Sequence, residues 1–129
     1  MERVKGLHHV ALRCSNLEKS VEFYAGALGL EVLRRWPGEG GSERSVWLST
    51  GQGFLALERA SGPGMTGPFG DAPAGWQVVA LEIARSDRAA WEERLARAGV
   101  DVVRRSPFSL FFQDPEGNRV ALSHWPEGA

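Results

Sequence analysis

The chain has 129 residues, 43% of them hydrophobic, with 15 lysines and arginines against 16 aspartates and glutamates. This length and apolar content suffice for one domain with its own core. The balanced charge excludes a basic nucleic-acid-binding stripe and an acidic binding arm. No apolar run spans a bilayer and no apolar signal core follows the N-terminus, so we expect a soluble, cytoplasmic protein without a membrane partner. The single Cys14 excludes a disulfide framework and cysteine-rich metal sites.

The first half of the chain predicts a strand, a helix and three more strands. Residues 7–13 alternate with the period of two that separates the faces of a sheet. A helix follows, capped by Ser15 or Asn16 and ended by Gly29. Further strands are expected over residues 31–36, 45–49 and 54–58, between turns rich in glycine and proline. The order is a βαβββ module with an antiparallel meander after the helix.

The second half repeats the first. Laying Val10 on Val79 gives an offset of 69 residues, which also brings Gly29 within one residue of Gly99. The repeat predicts a strand over 78–83, a helix capped by Ser86 or Asp87, and strands over 100–104, 110–113 and 119–123. We therefore predict an α+β fold of two tandem βαβββ modules, residues 4–60 and 76–125, with pseudo-twofold symmetry. Ligand sites of such folds tend to lie where the halves face each other.

A segment rich in glycine and proline joins the two modules. It covers residues 61–75, and eight of these residues are glycine or proline. Such a composition marks a boundary between units. Two interpretations stay open, a plain linker and a lid over a bound ligand.

Three motifs in this order resemble the vicinal oxygen chelate superfamily. They are His8-His9-Val10-Ala11-Leu12, the helix of residues 17–24 followed by Leu28-Gly29-Leu30, and Asp114-Pro115-Glu116-Gly117-Asn118-Arg119-Val120. The superfamily includes glyoxalase I, extradiol dioxygenases, methylmalonyl-CoA epimerase, fosfomycin-resistance enzymes and bleomycin-binding proteins. The resemblance implies mixed sheets curled around a shared cavity, a small-molecule ligand and a homodimer. It leaves open whether modules pair within one chain or across a dimer, and it implies no single reaction.

The resemblance also implies four positions for metal ligands, on the first and last strands of each module. His9 occupies the first and Glu58 the second, although a register shift of two residues would substitute Ala56 there. Val78 and Ala121 stand at the other two, and aliphatic side chains cannot bind a metal ion. The expected metal site is therefore degenerate, and the cofactor that it would still admit is a divalent ion held weakly by His9 and Glu58.

Charged residues and histidines of the first strands have two interpretations each. His9 should share a face with Arg13, as a hydrogen-bonded structural residue or as a ligand-binding one, whereas His8 should lie on the helix side. Arg13 and Glu82 are equivalent by the offset of 69. They are expected to form an ion pair that stabilises the fold, or Arg13 receives an anionic ligand group while Glu82 or Glu58 holds its guanidinium.

Aromatic residues supply the remaining candidates. The chain has five tryptophans and six phenylalanines. Trp47, Phe54 and Phe111 are expected to line an apolar wall around a planar or drug-sized ligand. The competing interpretation is ordinary core and dimer interface.

Three classes of function follow. The leading one is a small-molecule binding protein of the glyoxalase/bleomycin-resistance type, whose ligand contacts His9, Arg13, Trp47, Phe54, Glu58, Glu82 and Phe111. The alternative is an enzyme: a metal-dependent lyase, isomerase or dioxygenase using His9 and Glu58, or a metal-free one with Glu58 or Glu82 as general base. The third is an interaction module without a ligand, which predicts a filled interior.

Overall fold

The computed structural model of the protein describes residues 1–60 and 74–127. The chain divides into two compact units, residues 1–63 and 64–129. We call their described parts, 1–60 and 74–127, the first and second modules. Most of the predicted linker, residues 61–73, lies outside the described residues. The first module contains β1 His9–Cys14, α1 Leu17–Val21, β2 Val32–Pro37, β3 Glu43–Ser49 and β4 Phe54–Arg59, and the second β5 Val79–Glu82, α2 Arg88–Arg97, β6 Arg104–Arg105, β7 Ser109–Gln113 and β8 Arg119–Ser123.

Each module forms one four-stranded mixed sheet. The strand order is β1-β4-β3-β2 in the first and β5-β8-β7-β6 in the second. In both, the first strand runs parallel to the last, and the last three pair antiparallel. A parallel neighbour requires a crossover connection, which the helix after the first strand provides. The predicted α+β fold of two βαβββ modules is confirmed.

The two central strands of the first sheet bury one face. Strands β3 and β4 contribute Val46, Leu48, Leu55 and Leu57, each at most 2% exposed. Alternation along the strands places these side chains on the same face, which we call the core face. The helical segment after β1 completes the core with further buried side chains: Leu17, Phe23, Tyr24 and Leu28.

The crossover of the first module begins as an α-helix and continues as a π-helical segment. The Asn16 side chain accepts a hydrogen bond from the Lys19 amide, so Asn16 is the N-cap. Residues Glu22–Ala27 then adopt the wider helix, in which the Leu28 amide donates to the Phe23 carbonyl five residues earlier. Gly29 ends the segment with φ of 73°, the conformation expected for a glycine after a helix.

The second module differs from its prediction at two places. A short 3-10 turn over Arg85–Asp87 precedes α2, and the predicted cap residue Asp87 accepts no capping hydrogen bond through its side chain. The Glu127 carboxylate instead accepts from the Arg85 amide at the start of the turn. The sixth strand, predicted over 100–104, is only Arg104–Arg105. Before it, the Val103 amide still donates a hydrogen bond to the Phe111 carbonyl, but outside the regular strand pairing. Residues 100–103 therefore have the alternating apolar pattern of a strand, but they do not pair with a neighbouring strand.

Two polar side chains, those of Asp114 and Asn118, hold the turn between β7 and β8 of the second module. Asp114 is 6% exposed and its carboxylate accepts from the amides of Glu116 and Asn118 and from the Asn118 side chain. This network fixes the predicted Asp-Pro-Glu-Gly-Asn turn between β7 and β8.

Within the described residues, no helix is long and apolar enough to cross a membrane.

Candidate functional site

The second face of the first sheet carries an aromatic column. His9 stacks on Phe54 with ring centroids 4.7 Å apart and planes 7° from parallel, and Phe54 stacks on Trp47 at 4.6 Å. Trp36 meets the Trp47 ring in a T-shaped contact at 5.1 Å. We call the side of the first sheet that carries these four rings the aromatic face. Preformed ring contacts of this kind make a rigid apolar surface, as ligand-binding sites require.

Both ends of the column are closed by other side chains. The Arg34 guanidinium lies 3.8 Å from the centroid of the Trp36 ring, a cation–π contact. At the other end, His8 packs edge-on against His9 and Phe54, and the two Nδ1 atoms of His8 and His9 are 2.9 Å apart. The rings of this column and Arg34 therefore contact one another on one face of the sheet.

The expected position of His8 on the helix side is wrong. Its ring contacts His9 and Phe54, which lie on the aromatic face. The reason is that β1 begins at His9, so the alternation of a regular strand does not extend to the residue before it. Sequence alone held no signal for this contact, because the start of a strand is known only to within a few residues.

The register of the first sheet places five predicted site residues on the aromatic face. In the parallel pair, His9 lies opposite Phe54, and Arg13 lies opposite Glu58. Trp47 lies opposite Ala56, two residues from Glu58 on the same face. Glu58 is half-buried and Arg13 exposed. Neither forms an ion pair or a hydrogen bond with another described residue of the first module.

The other two predicted site residues, Phe111 and Glu82, lie on the same face of the second sheet. Phe111 on β7 is opposite Ala121, and Glu82 on β5 is opposite Ser123. Ala121 and Ser123 share a face because they are two residues apart, so Phe111 and Glu82 do as well. The Ser123 hydroxyl is 2.9 Å from that of Ser109.

The two sheets repeat one row of side chains. Across the first sheet the row is Ala11, Ala56, Trp47 and Arg34, and across the second it is Ala80, Ala121, Phe111 and Arg104. Each consists of two alanines on the parallel strands, then an aromatic residue, then an arginine. In the second sheet, the Arg104 guanidinium lies 5.6 Å from the Phe111 ring centroid. In each row, the two alanines carry only methyl groups and lie beside a much larger aromatic side chain.

This repeat also assigns equivalent positions for metal ligands. Ala56 is opposite Ala11, and Ala121 is opposite Ala80, so Ala56 and Ala121 correspond. Glu58 then corresponds to Ser123, two residues further along. A constant offset of 69 does not reveal this, because the offset has fallen to 65 by the last strand of each sheet. Turns of different length between the strands cause the change.

No group of three or more histidine, cysteine or carboxylate side chains in residues 1–60 and 74–127 is arranged to hold a metal ion. The lone Cys14 is buried, with its sulfur 3.8 Å from the Leu12 carbonyl. His124 is buried as well, but its ring is held by Arg88 and by the Glu127 carbonyl. These two metal-binding residue types therefore serve packing and hydrogen bonding where they are buried.

Both modules have the same strand order, and each carries alanines beside an aromatic side chain on one face of its sheet. The family model described as the Glyoxalase/Bleomycin resistance protein/Dioxygenase superfamily matches residues 6–122. The chain belongs to this superfamily, and the resemblance seen in its motifs is confirmed.

Individual relatives are distant. The chain is 26% identical over 125 residues to the metallothiol transferase FosB of Staphylococcus haemolyticus, covering 92% of this chain and 83% of the relative. Its fold is similar to the crystal structure of SMU.1112c, with a TM-score of 0.79, 26% identity, and coverage of 95% and 100%. It is also similar to the fosfomycin resistance protein FosX of Listeria monocytogenes complexed with Mn(II) and sulfate, with a TM-score of 0.76 and coverage of 97% and 96%. At 16% identity, the FosX likeness concerns the fold alone.

Proposed function

We propose that this protein is a small-molecule binding protein of the glyoxalase/bleomycin-resistance type with a degenerate metal site. The observation that carries the proposal is the pair Val78 and Ala121, two aliphatic residues at positions where metal-binding relatives are expected to have ligands. Ala121 is only 1% exposed. Each missing protein ligand must be replaced by water, which weakens binding of a metal ion.

The separation of His9 and Glu58 supports the same proposal. Glu58 is opposite Arg13, four residues beyond His9 on β1. At the usual rise of a strand, the two positions are about 13 Å apart along the sheet. Both side chains would have to lean along the sheet toward each other to share one ion. The partial site on these two residues therefore stays a weak candidate for a divalent metal ion.

The aromatic face supports the binding of a ligand. Its rings lie beside Ala11 and Ala56, and Arg13 and Glu58 add charge two residues further along β1 and β4. Apolar lining with a few convergent polar groups is typical of small-molecule sites. We propose that His9, Arg13, Trp47, Phe54 and Glu58 contact the ligand. Glu82 and Phe111, which share a face of the second sheet, stay candidate ligand-binding residues of the second module.

The rival candidate is a metal-dependent enzyme, and the similarity to a relative named as a metallothiol transferase favours it. In this case, His9 and Glu58 hold the ion for a lyase, isomerase or dioxygenase reaction. In a metal-free enzyme, Glu58 or Glu82 would instead be the general base. This candidate requires ligands beyond those two residues, because open coordination sites alone do not hold an ion.

Metal content separates the two candidates. The full chain is purified without chelator and without a nickel column, re-equilibrated with manganese, iron, nickel and zinc in turn, and analysed by mass spectrometry. We expect far less than one retained ion per chain. One tightly held ion per chain that disappears in His9→Ala would contradict the degenerate site and favour the enzyme.

Ligand binding is tested by tryptophan fluorescence with a library of drug-sized aromatic compounds. We expect bound compounds to quench the wild type, and we expect Trp47→Phe to lose most of that quenching. Trp91→Phe is the matched control, because Trp91 lies on α2 of the second module. A library without any binder would contradict the proposal and leave an interaction module without a ligand.

We further propose that the protein is a cytoplasmic homodimer, as the resemblance implies. Light scattering coupled to size-exclusion chromatography measures the oligomeric state directly. A monomer at micromolar concentration would contradict the dimer without affecting the proposed ligand binding.

A further inference from the structure

The pairing of β2 with β3 contains two β-bulges, each with one extra residue. Val32 lies opposite Leu48 and Arg34 lies opposite Trp47, so Leu33 is the extra residue on β2. Because Leu48 belongs to the core face, unbroken alternation from Val32 would put Arg34 on the core face as well. The bulge instead places Arg34 opposite Trp47, on the aromatic face.

The second bulge is on β3. Trp36 and Pro37 are neighbours on β2, but their partners on β3 are two residues apart, so Arg44 between those partners is the extra residue. The Arg44 guanidinium lies 5.9 Å from the centroid of the Trp36 ring, and the Arg34 guanidinium lies 3.8 Å from it. Two neighbouring strands thus bring two arginines to one indole ring, and we call Arg34 and Arg44 the arginine pair. Bulges are frequent next to functional sites, because they redirect single side chains.

The arginine pair has no counter-ion among the described residues. Arg34 and Arg44 are exposed, and neither forms an ion pair or a hydrogen bond within the described part of the chain. Arg35 lies between Arg34 and Trp36, and it donates to both carboxylate oxygens of Glu43, at 2.7 and 3.0 Å. The carboxylate next to Arg44 in the sequence is therefore engaged by a different arginine. Like charges that lie close together on a sheet repel each other.

The charges of the aromatic face do not balance. Arg13, Arg34 and Arg44 lie on this face with the carboxylate of Glu58, whereas the whole chain has a formal net charge of −1. Glu58 is separated from Trp36 by β3, which is about 10 Å at the usual spacing of strands. Arg13 lies opposite Glu58 and balances its charge. The charges of the arginine pair therefore remain uncompensated.

Two guanidinium groups without a counter-ion favour a dianion as ligand. One guanidinium presents a planar fork of donors that a carboxylate fills with both of its oxygens, so a carboxylate would serve only one of the two arginines. A phosphate monoester carries about two negative charges and has three acceptor oxygens. It can therefore accept hydrogen bonds from both arginines and neutralise both charges.

We propose that the arginine pair binds a dianionic phosphate group. A ligand can reach both side chains, because both are exposed. Their contacts with the Trp36 ring restrict the guanidinium groups before the ligand arrives, which lowers the conformational entropy lost on binding. The site does not rest on the proposed function, since it requires neither a metal ion nor an aromatic ligand.

Phosphate binding tests the arginine pair. The probes are phenyl phosphate and inorganic phosphate, with the diester methyl phenyl phosphate as the matched monoanion. The full chain is titrated at constant ionic strength, because salt screens exposed charges. Affinity is measured from the shifts of the backbone amide resonances of β2 and β3. We expect phenyl phosphate to bind at least about tenfold more tightly than the diester, because the diester lacks the second charge.

Single variants locate the site. We expect Arg34→Gln and Arg44→Gln each to weaken the binding of phenyl phosphate about tenfold, because each removes charge-assisted hydrogen bonds. Arg35→Gln is the matched control, since it removes the same charge from β2 at a residue that alternation directs to the other face. We expect it to leave the affinity unchanged. An equal loss in all three variants would overturn the site, because binding would then depend on net charge and not on contact.

The outcomes also distinguish the source of the phosphate. Tighter binding of phenyl phosphate than of inorganic phosphate would indicate an organic ester, and equal or weaker binding would indicate free phosphate. Both results uphold the site. Binding of the diester as tight as that of phenyl phosphate, or no binding of either dianion, overturns the inference. The proposed function is judged separately by the fluorescence library and Trp47→Phe, so that each can fail without the other.

Discussion

Ala56 and Ala121 occupy equivalent positions in the two sheets, each opposite an alanine of the neighbouring parallel strand. Both are almost fully buried. In each module, the position on the last strand that faces the aromatic side chain is therefore filled by a methyl group. Glu58, the candidate metal ligand of the first module, lies two residues further along the strand and corresponds to Ser123.

Introducing metal ligands at Val78 and Ala121 should create metal binding that the wild type lacks. We expect the double variant Val78→His, Ala121→Glu to retain more manganese or nickel than the wild type, because strand alternation puts the new imidazole and carboxylate on one face. The measurement is metal content after dialysis. Val79→His with Ala121→Glu is the control, since a neighbouring strand residue points to the opposite face. Equal metal content in both double variants would contradict the assigned positions.

Phe54 should stabilise the first module through its two ring contacts. It stacks on His9 and on Trp47, and each such pair contributes about 0.5–1.5 kcal/mol beyond the buried area. We therefore expect Phe54→Leu to lower the free energy of unfolding by about 1–3 kcal/mol, measured in urea. Phe54→Tyr keeps the ring and should remain close to the wild type. A similar loss in both variants would mean that steric fit, and not stacking, decides stability here.

His124 should stabilise the second module as a hydrogen-bond acceptor for Arg88. Its Nε2 is 3.0 Å from an Arg88 nitrogen, and its Nδ1 is 2.9 Å from the Glu127 carbonyl oxygen. The carbonyl can only accept, so Nδ1 carries the proton and Nε2 accepts from Arg88. We expect His124→Phe to lower the free energy of unfolding by about 1–2 kcal/mol, because a part-buried donor of Arg88 loses this acceptor.

A double-mutant cycle isolates that contact. His124→Phe should cost much less in an Arg88→Met background than in the wild type, since the donor is then absent. Additive effects would show that the loss in His124→Phe comes from packing. Arg88 also bonds the carbonyl of Ser106, so Arg88→Met alone is expected to be destabilising.

The ion pair between Glu18 and Arg59 should make stability depend on pH in the acid range. The hydrogen bond from Arg59 lowers the pKa of Glu18 below its ordinary value of 4.5. A lowered pKa means that the contribution is fully present above about pH 4.5 and is lost as the pH falls through the lower pKa of the folded state. The pair is exposed, so the effect is small and weakens in high salt.

The measurement compares the wild type with Glu18→Gln in urea at several pH values. We expect the wild type to be the more stable at pH 7 and the difference to vanish in strong acid. Glu2→Gln is the control, because Glu2 is exposed and outside this pair. A difference that is constant across the acid range would mean that the charge of Glu18 does not contribute.

Much of the fold was predictable because its signals are local. The alternation of β1, the cap at Asn16 and the glycine at 29 depend on neighbours within a few residues, and all three are present as expected. The predicted strand over 100–104 failed for the opposite reason. Its alternation is local, but a strand also needs a partner, and β7 pairs regularly only with Arg104 and Arg105.

For the candidate site, the sequence predicted which side chains share a face of a strand, but not which side chains lie opposite them on the neighbouring strands. Alternation assigned His9 and Arg13 to one face of β1, in agreement with the register. It did not reveal that Ser45 lies opposite Trp36 or that both have unpaired polar atoms, because those facts depend on the alignment of β2 with β3. Sequence by itself determined the modules, their order and which side chains share a strand face, since periodicity and turn residues act locally. Only the tertiary structure decided which of those side chains meet, because turn length and bulges set the register between strands that are distant in the chain.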